Sequence, residues 1–115
     1  MNSSEFITAI KEVVLKSSIE DTILLLESPP GRKPEKHLVF LSNWYNGLDE
    51  DQKIIVMEII QIATHGAIFG FLTVLDGVRA IEGDSNKGSL ELSYVVKDDK
   101  YMLNDPSGPM LHDLL

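Results

Sequence analysis

The chain has 115 residues, of which 43% are hydrophobic and 24% are charged. This composition is typical of a globular protein, and the length predicts a single domain over residues 1–115. The absence of cysteine excludes a disulfide framework, a thiolate zinc site and a cysteine nucleophile. The net charge of −8 disfavours nucleic acid as a partner, because phosphate binding requires a cationic surface.

The first part of the chain predicts two helices. Apolar residues recur at helical spacing between Phe6 and Val14, which predicts a first helix over about residues 4–16. The tetrapeptide SSIE, which begins at Ser17, has the spacing of a capping box and predicts a short second helix through Leu26. The opening residues do not have the basic and apolar pattern of a secretory signal, so we expect the protein in the cytoplasm.

The segment SPPGRKP, residues 28–34, interrupts the helical pattern, because its three prolines and one glycine disfavour a continued helix. A third helix is predicted to begin at Pro34 and to end at Gly47. Trp44 is expected to pack in the core. If Trp44 and Tyr45 were exposed, they would instead be the aromatic anchors of a binding surface.

A fourth helix is predicted to follow. The acidic residues 49–51 suit its N-terminus, where free amides and the helix dipole favour negative charge. Residues 54–75 are apolar almost all round, apart from a narrow polar stripe formed by Glu58, Gln61 and His65. This pattern predicts a central helix with only one edge in reach of water.

The same apolar stretch allows other interpretations. The stretch 54–75 is long enough to span a bilayer, which takes roughly 20 residues. The acidic flanks and the regular polar stripe nevertheless favour a soluble core helix. Gly66 either splits the helix or bends it. Phe71 is expected in the core, where Phe71→Ala would cost about 3 to 5 kcal/mol.

The last part of the chain predicts a hairpin. Asp98 and Asp99 suit a two-residue turn, which places Val96 opposite Tyr101 and keeps the large apolar residues of both strands on one face. The sequence NDPSGP predicts a tight turn, and the final MLHDLL predicts a short helix or strand.

Strand-like patterns also occur at residues 78–82 and 89–96. Together with the hairpin they predict an α+β fold, in which about four N-terminal helices pack on a C-terminal three-stranded antiparallel β-meander. The apolar helix is the expected cover for the sheet.

The sequence has no catalytic signature. The three histidines lack the paired spacing of a zinc-binding helix, so neither a metal nor a cofactor is predicted. Asp76 and Gly77 predict a turn, which an ion pair between Asp76 and Arg79 would fix. His112 and Asp113 are adjacent and are expected to point apart. We therefore expect a protein that is not an enzyme.

The segments FGFLTVLDGVRAIEG, LELSYVV and LNDPSGPMLHDLL resemble small bacterial proteins in which helices precede a hairpin. In size, acidity and lack of a catalytic motif the chain is also similar to the immunity proteins of bacterial toxin systems. The second resemblance implies a cytoplasmic protein that binds and blocks one toxin domain, commonly a basic nuclease.

Acidic residues at the ends of elements and in loops would steer a basic partner if they formed one patch, and would only aid solubility if they were dispersed. The candidate partner-binding residues are Asp49, Glu50, Asp51, Asp84, Asp98 and Asp99. Two other functions stay open at this point. One is a small-ligand pocket between the apolar helix and the sheet, around His65 and Tyr94. The other is a homo-oligomeric module that pairs through the strand edge at residues 78–82.

Overall fold

The protein is an α+β fold in which helices precede a two-stranded antiparallel sheet. The computed structural model describes residues 1–83, 85 and 87–115. The helices are α1 (Ser3–Ile10), α2 (Ser17–Glu27), α3 (Lys36–Asn46), α4 (Glu50–Leu75) and α5 (Leu111–Leu114), and a π-helical segment, Lys11–Lys16, lies between α1 and α2. The strands are β1 (Ser93–Val96) and β2 (Asp99–Met102).

The first helical run begins at a side-chain cap. Asn2 accepts a hydrogen bond from the amide of Glu5 at 2.8 Å, and the Glu5 carboxylate accepts one from the amide of Asn2 at 3.1 Å. This reciprocal pair is a capping box. The prediction of a capping box at Ser17 is wrong. The backbone at Lys16 is helical, and the helical run continues there without a side-chain cap.

Side-chain caps also begin α3 and α4. The Glu35 carboxylate accepts hydrogen bonds from two amides of the first turn, at 2.9 and 3.0 Å, so α3 begins after Glu35 and not at Pro34. These amide bonds hold the pKa of the Glu35 carboxyl below its usual value. At the start of α4, Asp49 and Gln52 form a second reciprocal pair, with donor–acceptor distances of 2.8 and 3.0 Å.

The fourth helix is continuous across Gly66 and ends at a glycine. A Cβ added at Gly66 would meet no described atom within 4 Å. At the C-terminal end, the amide of Gly77 donates to the carbonyl of Val74 and the amide of Val78 donates to that of Thr73. This is a Schellman motif, and the φ of Gly77, +75°, is the left-handed value it requires. The turn predicted at Gly77 is confirmed.

The hairpin has a different register from the expected one. Val96 pairs with Asp99 instead of Tyr101, so the two-residue turn consists of Lys97 and Asp98. Lys97 has a φ of +54°, the positive value that tight hairpin turns need at their first central residue. Because the pairing partner shifts by two residues, each side chain keeps its face, and the apolar alternation of the strands is preserved.

The third strand expected at residues 78–82 is not confirmed. In the described part of the chain these residues form bends and coil without a ladder partner. The amides of Val78 and Arg79 donate to the carbonyl of Thr73, at 2.9 and 3.1 Å. The end of α4 thus already uses donors that a strand here would need for pairing. The packing of helices on a three-stranded meander is likewise not confirmed.

Residue contacts divide the chain into two compact units. Unit 1 comprises Met1–Val14 and Gly66–Leu115, and unit 2 comprises Leu15–His65. The core of unit 1 is formed by Ile7, Leu72 and Leu111, which are at most 2% exposed and come from α1, α4 and α5. The sequence-based expectation of a single domain stays a prediction.

The apolar helix is mostly exposed, which corrects the expectation of a central core helix. The buried residues of α4 are Gly70, Leu72 and Thr73, all near its C-terminal end. Phe71 is 63% exposed, because successive helical residues lie on different faces, and the face with Ile68, Leu72 and Leu75 packs in the core. In unit 2, all of which is described, Tyr45 is the one large hydrophobic residue that is buried, and it is 3% exposed.

Candidate partner-binding surface

Three of the predicted partner-binding residues lie together at the start of α4, in unit 2. Asp49, Glu50 and Asp51 are exposed, and we call them the acidic corner. The Asp49 side chain caps the helix, as described above. Oε1 of Glu50 lies 3.7 Å from Nζ of Lys53. All three carboxylates are favoured here by the free amides of the helix N-terminus, and they remain accessible to a partner.

The other predicted acidic residues lie elsewhere. Asp98 is in the hairpin turn of unit 1 and is exposed. Asp99 is also exposed, but it is the first residue of β2 and not part of the turn, as was expected. Asp84 lies outside the described residues. The structure therefore groups residues 49–51 and places Asp98 and Asp99 in the other unit.

The third helix has an exposed aromatic surface. Phe40 and Trp44 are 66% and 57% exposed and lie four residues apart, on one face of α3. The ring of His37 stacks on that of Phe40, with 5.9 Å between centroids. We call His37, Phe40 and Trp44 the α3 aromatic surface. The expected core position of Trp44 is wrong, because Tyr45, 3% exposed, faces the interior instead.

The α3 aromatic surface adjoins the acidic corner along the chain. Trp44 is in the last turn of α3, and the amide of Gly47 closes this turn by donating to the carbonyl of Trp44 at 3.2 Å. Asp49 follows Trp44 by five positions, so their Cα atoms are at most about 18 Å apart. Nζ of Lys53 lies 5.4 Å from the centre of the Tyr45 ring, a cation–π distance between α4 and α3.

The first half of α4 exposes a row of isoleucines. Ile55, Ile59 and Ile62 are 55%, 60% and 74% exposed. Their spacing of four and three residues is that of the contacting positions in paired helices, and we call them the α4 seam. By length and composition alone, Glu50–Leu75 is apolar enough to cross a membrane: an 18-residue window of this helix has a mean hydropathy of 1.7, and 6% of that window is buried.

A buried carboxylate attaches the end of the chain to α4. The side chain of Asp76 is 3% exposed and accepts hydrogen bonds from the amides of Leu111 and His112, at 3.0 and 2.9 Å. Nδ1 of His112 lies 2.7 Å from Oδ2 of Asp76, and the imidazole packs edge-on against Phe69. Nε2 of His112 lies 3.4 Å from Oδ1 of Asp113, although these neighbours were expected to point apart.

We call the hydrogen-bonded contact of Asp76 with Leu111 and His112 the clasp, and its geometry fits a structural role. An imidazole that activates a nucleophile must reach a hydroxyl or thiol with one nitrogen. Among the described contacts, both ring nitrogens of His112 face carboxylates.

The ion pair expected between Asp76 and Arg79 is not among the described contacts. The Arg79 guanidinium lies over Gly70, where an added Cβ would be 2.5 Å from Nη1.

The clasp favours the ionised form of Asp76. Burial disfavours the charge, but the hydrogen bonds from the amides of His112 and Leu111, together with the His112 ring, outweigh it. They hold the pKa of Asp76 below its usual value. The carboxylate therefore remains an acceptor for α5 over the whole neutral pH range.

Asn104 is a second buried link in unit 1, and it is 7% exposed. Its Nδ2 donates to the carbonyls of Leu75 and Leu90, at 2.7 and 2.8 Å, and its Oδ1 accepts from the amide of Leu92 at 2.8 Å. One side chain thus binds the end of α4 to the segment that leads into β1. The sequence contains no signal for this role, because the pattern NDPSGP indicates only that a turn begins at Asn104.

A cleft of about 610 Å³ lies within unit 1, lined by residues 74–82 and 87–91 together with Met102, Asn104 and Pro106. Its lining includes neither His65 nor Tyr94, around which a ligand pocket was expected. No group of three or more histidine and acidic residues in the described part of the chain is placed to hold a metal ion.

Comparisons with known proteins add no family to these observations. No protein-family model, curated protein or solved structure matches the chain.

Proposed function

We propose that this chain is a cytoplasmic partner-binding protein without catalytic activity, and that it acts as an immunity-type protein that binds a basic protein domain. The observation that supports this proposal best is the exposed α3 aromatic surface beside the acidic corner. Together they combine aromatic anchors with a charged rim, which is the composition of specific protein interfaces.

Phe40 and Trp44 supply the anchors. Binding hot spots are enriched in tryptophan, and burial of the exposed two thirds of Phe40 would contribute roughly 1 to 2 kcal/mol. Both side chains project from a helix that begins at the Glu35 cap and ends at Gly47. A partner would therefore meet anchors on a preformed helix, and little ordering entropy would oppose binding.

The acidic corner supplies the charge. Asp49, Glu50 and Asp51 are exposed at the rim of the anchor region, where charges act mainly on the association rate and on the choice of partner. Asp98 and Asp99 belong to the other unit, and we assign them only a contribution to the long-range field. With a net charge of −8, that field attracts a basic domain and repels an acidic one.

The proposal can be tested with the protein encoded next to this chain, if it is basic. Trp44 is the only tryptophan, so its fluorescence reports directly on the anchor region. We expect a blue-shifted emission on binding and an affinity that falls as salt is added. By calorimetry, Trp44→Ala should weaken binding about thirtyfold or more, the effect of losing a hot-spot residue.

Asp98→Asn is the matched control, because it changes an exposed acidic residue outside the anchor region. It should leave the affinity within about twofold at physiological salt. Unchanged binding by Trp44→Ala would contradict the proposed surface. Catalytic turnover of any substrate by the purified chain would contradict the proposed lack of activity.

A further inference from the structure

A basic cluster at the start of α3 is not used by the proposed function. Arg32, Lys33 and Lys36 are all exposed, and none of them belongs to the ion pairs of the described residues. We call these three residues the basic end. A basic domain would be repelled here, because like charges would face each other across the interface. The basic end therefore requires a binding surface that carries carboxylates.

The basic end and the acidic corner lie at opposite ends of one helix. The helix α3, Lys36–Asn46, is about 16 Å long at 1.5 Å per residue. Arg32 precedes it by four positions and Asp51 follows it by five, so neither charged group extends more than about 18 Å beyond its helix end. The contact of 5.4 Å between Nζ of Lys53 and the Tyr45 ring links the first turn of α4 to α3. Positive charge, aromatic side chains and negative charge thus follow one another along unit 2.

The aromatic anchors lie in the middle of this arrangement. Phe40 and Trp44 are 66% and 57% exposed. The midpoint between them is position 42, and the middle of α3 is position 41. When two copies of α3 lie antiparallel about that midpoint, Phe40 of each copy faces Trp44 of the other. In the same arrangement each basic end faces an acidic corner, so the surface is complementary to itself.

The order of charges along α3 fits a second copy of the chain. An isologous contact joins the same surface of two subunits across a two-fold axis, and it requires a surface that is complementary to itself. We propose that the α3 aromatic surface, with the basic end and the acidic corner, binds the same surface of a second copy. The dimer has aromatic contacts at its centre and opposite charges at its rim, as specific interfaces do. It covers the surface assigned to the basic partner, so dimerisation and partner binding exclude each other.

The mass of the purified full-length chain tests this proposal without any partner. In sedimentation equilibrium the mass should rise with concentration from 12.8 kDa toward twice that value. The emission of Trp44, the only tryptophan, should shift to the blue over the same concentration range, because the dimer buries its ring. Trp44→Ala should raise the dissociation constant about tenfold or more. Because the purified chain is tested alone, a monomer does not affect the proposed function, and failure to bind a basic domain does not affect the dimer.

Charge reversal at each end of the surface is the sharpest test. Lys33→Glu with Lys36→Glu makes both ends acidic, and Glu50→Lys with Asp51→Lys makes both ends basic. Each of these chains should be a monomer at concentrations at which the wild type is a dimer, because like charges would meet. A mixture of the two should form a heterodimer, since acidic then meets basic at both ends. A single chain with all four substitutions should form the homodimer again.

Two further variants control for net charge and for the choice of surface. Lys97→Glu with Lys100→Glu, both exposed in the hairpin of unit 1, changes the net charge as much as the reversal at the basic end and should leave the dimer intact. Ile59→Ala with Ile62→Ala, in the α4 seam, removes only exposed groups and should leave it intact as well. Circular dichroism checks that every variant keeps its helix content.

Should a charge-reversed chain lose helix content, Lys33→Gln with Lys36→Gln neutralises the basic end instead and should still weaken the dimer. Three results would overturn the proposal: a wild-type mass of 12.8 kDa at every concentration, charge-reversed chains that dimerise as well as the wild type, or a mixture of the two reversed chains that stays monomeric. A monomeric variant of the hairpin or of the α4 seam would contradict it too, because association would then depend on net charge or on that face of α4.

Discussion

Unit 1 and unit 2 contain similar apolar side chains but bury them to different extents. In unit 1, Ile7, Leu72 and Leu111 are at most 2% exposed, and Asp76 and Asn104 bind the segments around this core by hydrogen bonds. In unit 2, leucines and isoleucines of three helices remain exposed. The comparison shows that the apolar residues of a helix are buried only where other elements of the same chain pack against them.

The largest difference should appear when a leucine is shortened in each unit. Leu72, 2% exposed, lies in the core of unit 1, and Leu24, 59% exposed, lies on α2 in unit 2. Leu72→Ala should lower the free energy of unfolding by about 2 to 5 kcal/mol, because it leaves a cavity. Leu24→Ala should change it by less than about 0.5 kcal/mol. Urea denaturation measures both, and equal losses would show that unit 2 is as well packed as unit 1.

The two acidic helix caps provide the next comparison. Asp76 is nearly buried and accepts three hydrogen bonds, whereas Asp49 is exposed and caps α4 through a single amide. We expect Asp76→Ala to cost about 2 to 3 kcal/mol of stability and Asp49→Ala about 0.5 to 1 kcal/mol. A smaller loss of stability for Asp76→Ala than for Asp49→Ala in thermal denaturation would show that the clasp does not stabilise unit 1 as proposed.

Acid should weaken the clasp. The pKa of Asp76 is lowered in the folded protein, so its stabilising effect is complete above its unfolded value of about 3.9 and is lost as the pH falls through the folded value. The stability difference between the wild type and Asp76→Asn should therefore shrink as the pH falls below about 4. A difference that stays constant down to pH 2.5 would contradict the assignment.

The smallest effect is expected in the hairpin. Lys97 has a φ of +54°, a conformation that costs a residue with a Cβ about 1 kcal/mol and a glycine almost nothing. Lys97→Gly should therefore raise the free energy of unfolding by up to about 1 kcal/mol. Asp98→Gly, at the other turn residue, should not stabilise, because Asp98 is not among the residues with positive φ. Stabilisation by Asp98→Gly alone would favour the register expected from the sequence.

Sequence patterns predicted features that depend on neighbouring residues. The helical segments, the end of α3 at Gly47 and the left-handed Gly77 follow from helical spacing and from glycine conformation. The hairpin was placed correctly, but its turn was shifted by one residue. The residue pattern suited a turn at Asp98 and Asp99 as well as the observed turn at Lys97 and Asp98, because both keep the alternation of the strands.

The candidate surface was predicted only in part. Asp49, Glu50 and Asp51 were expected at the start of a helix and lie there. Trp44 was assigned to the core and is exposed, because helical spacing identifies the faces of α3 but not which face meets the protein. The clasp between Asp76 and His112 joins residues 36 positions apart, and no local pattern predicts such a contact.

The sequence by itself determined the acidic charge, the absence of cysteine chemistry and the positions of most helices, because these depend on composition and on residues a few positions apart. Only the tertiary structure decided which apolar residues are buried. Leu72 and Ile62 lie on the same helix, yet one is 2% and the other 74% exposed. Burial depends on distant segments, because Ile7 and Leu111 pack against Leu72 near the end of α4.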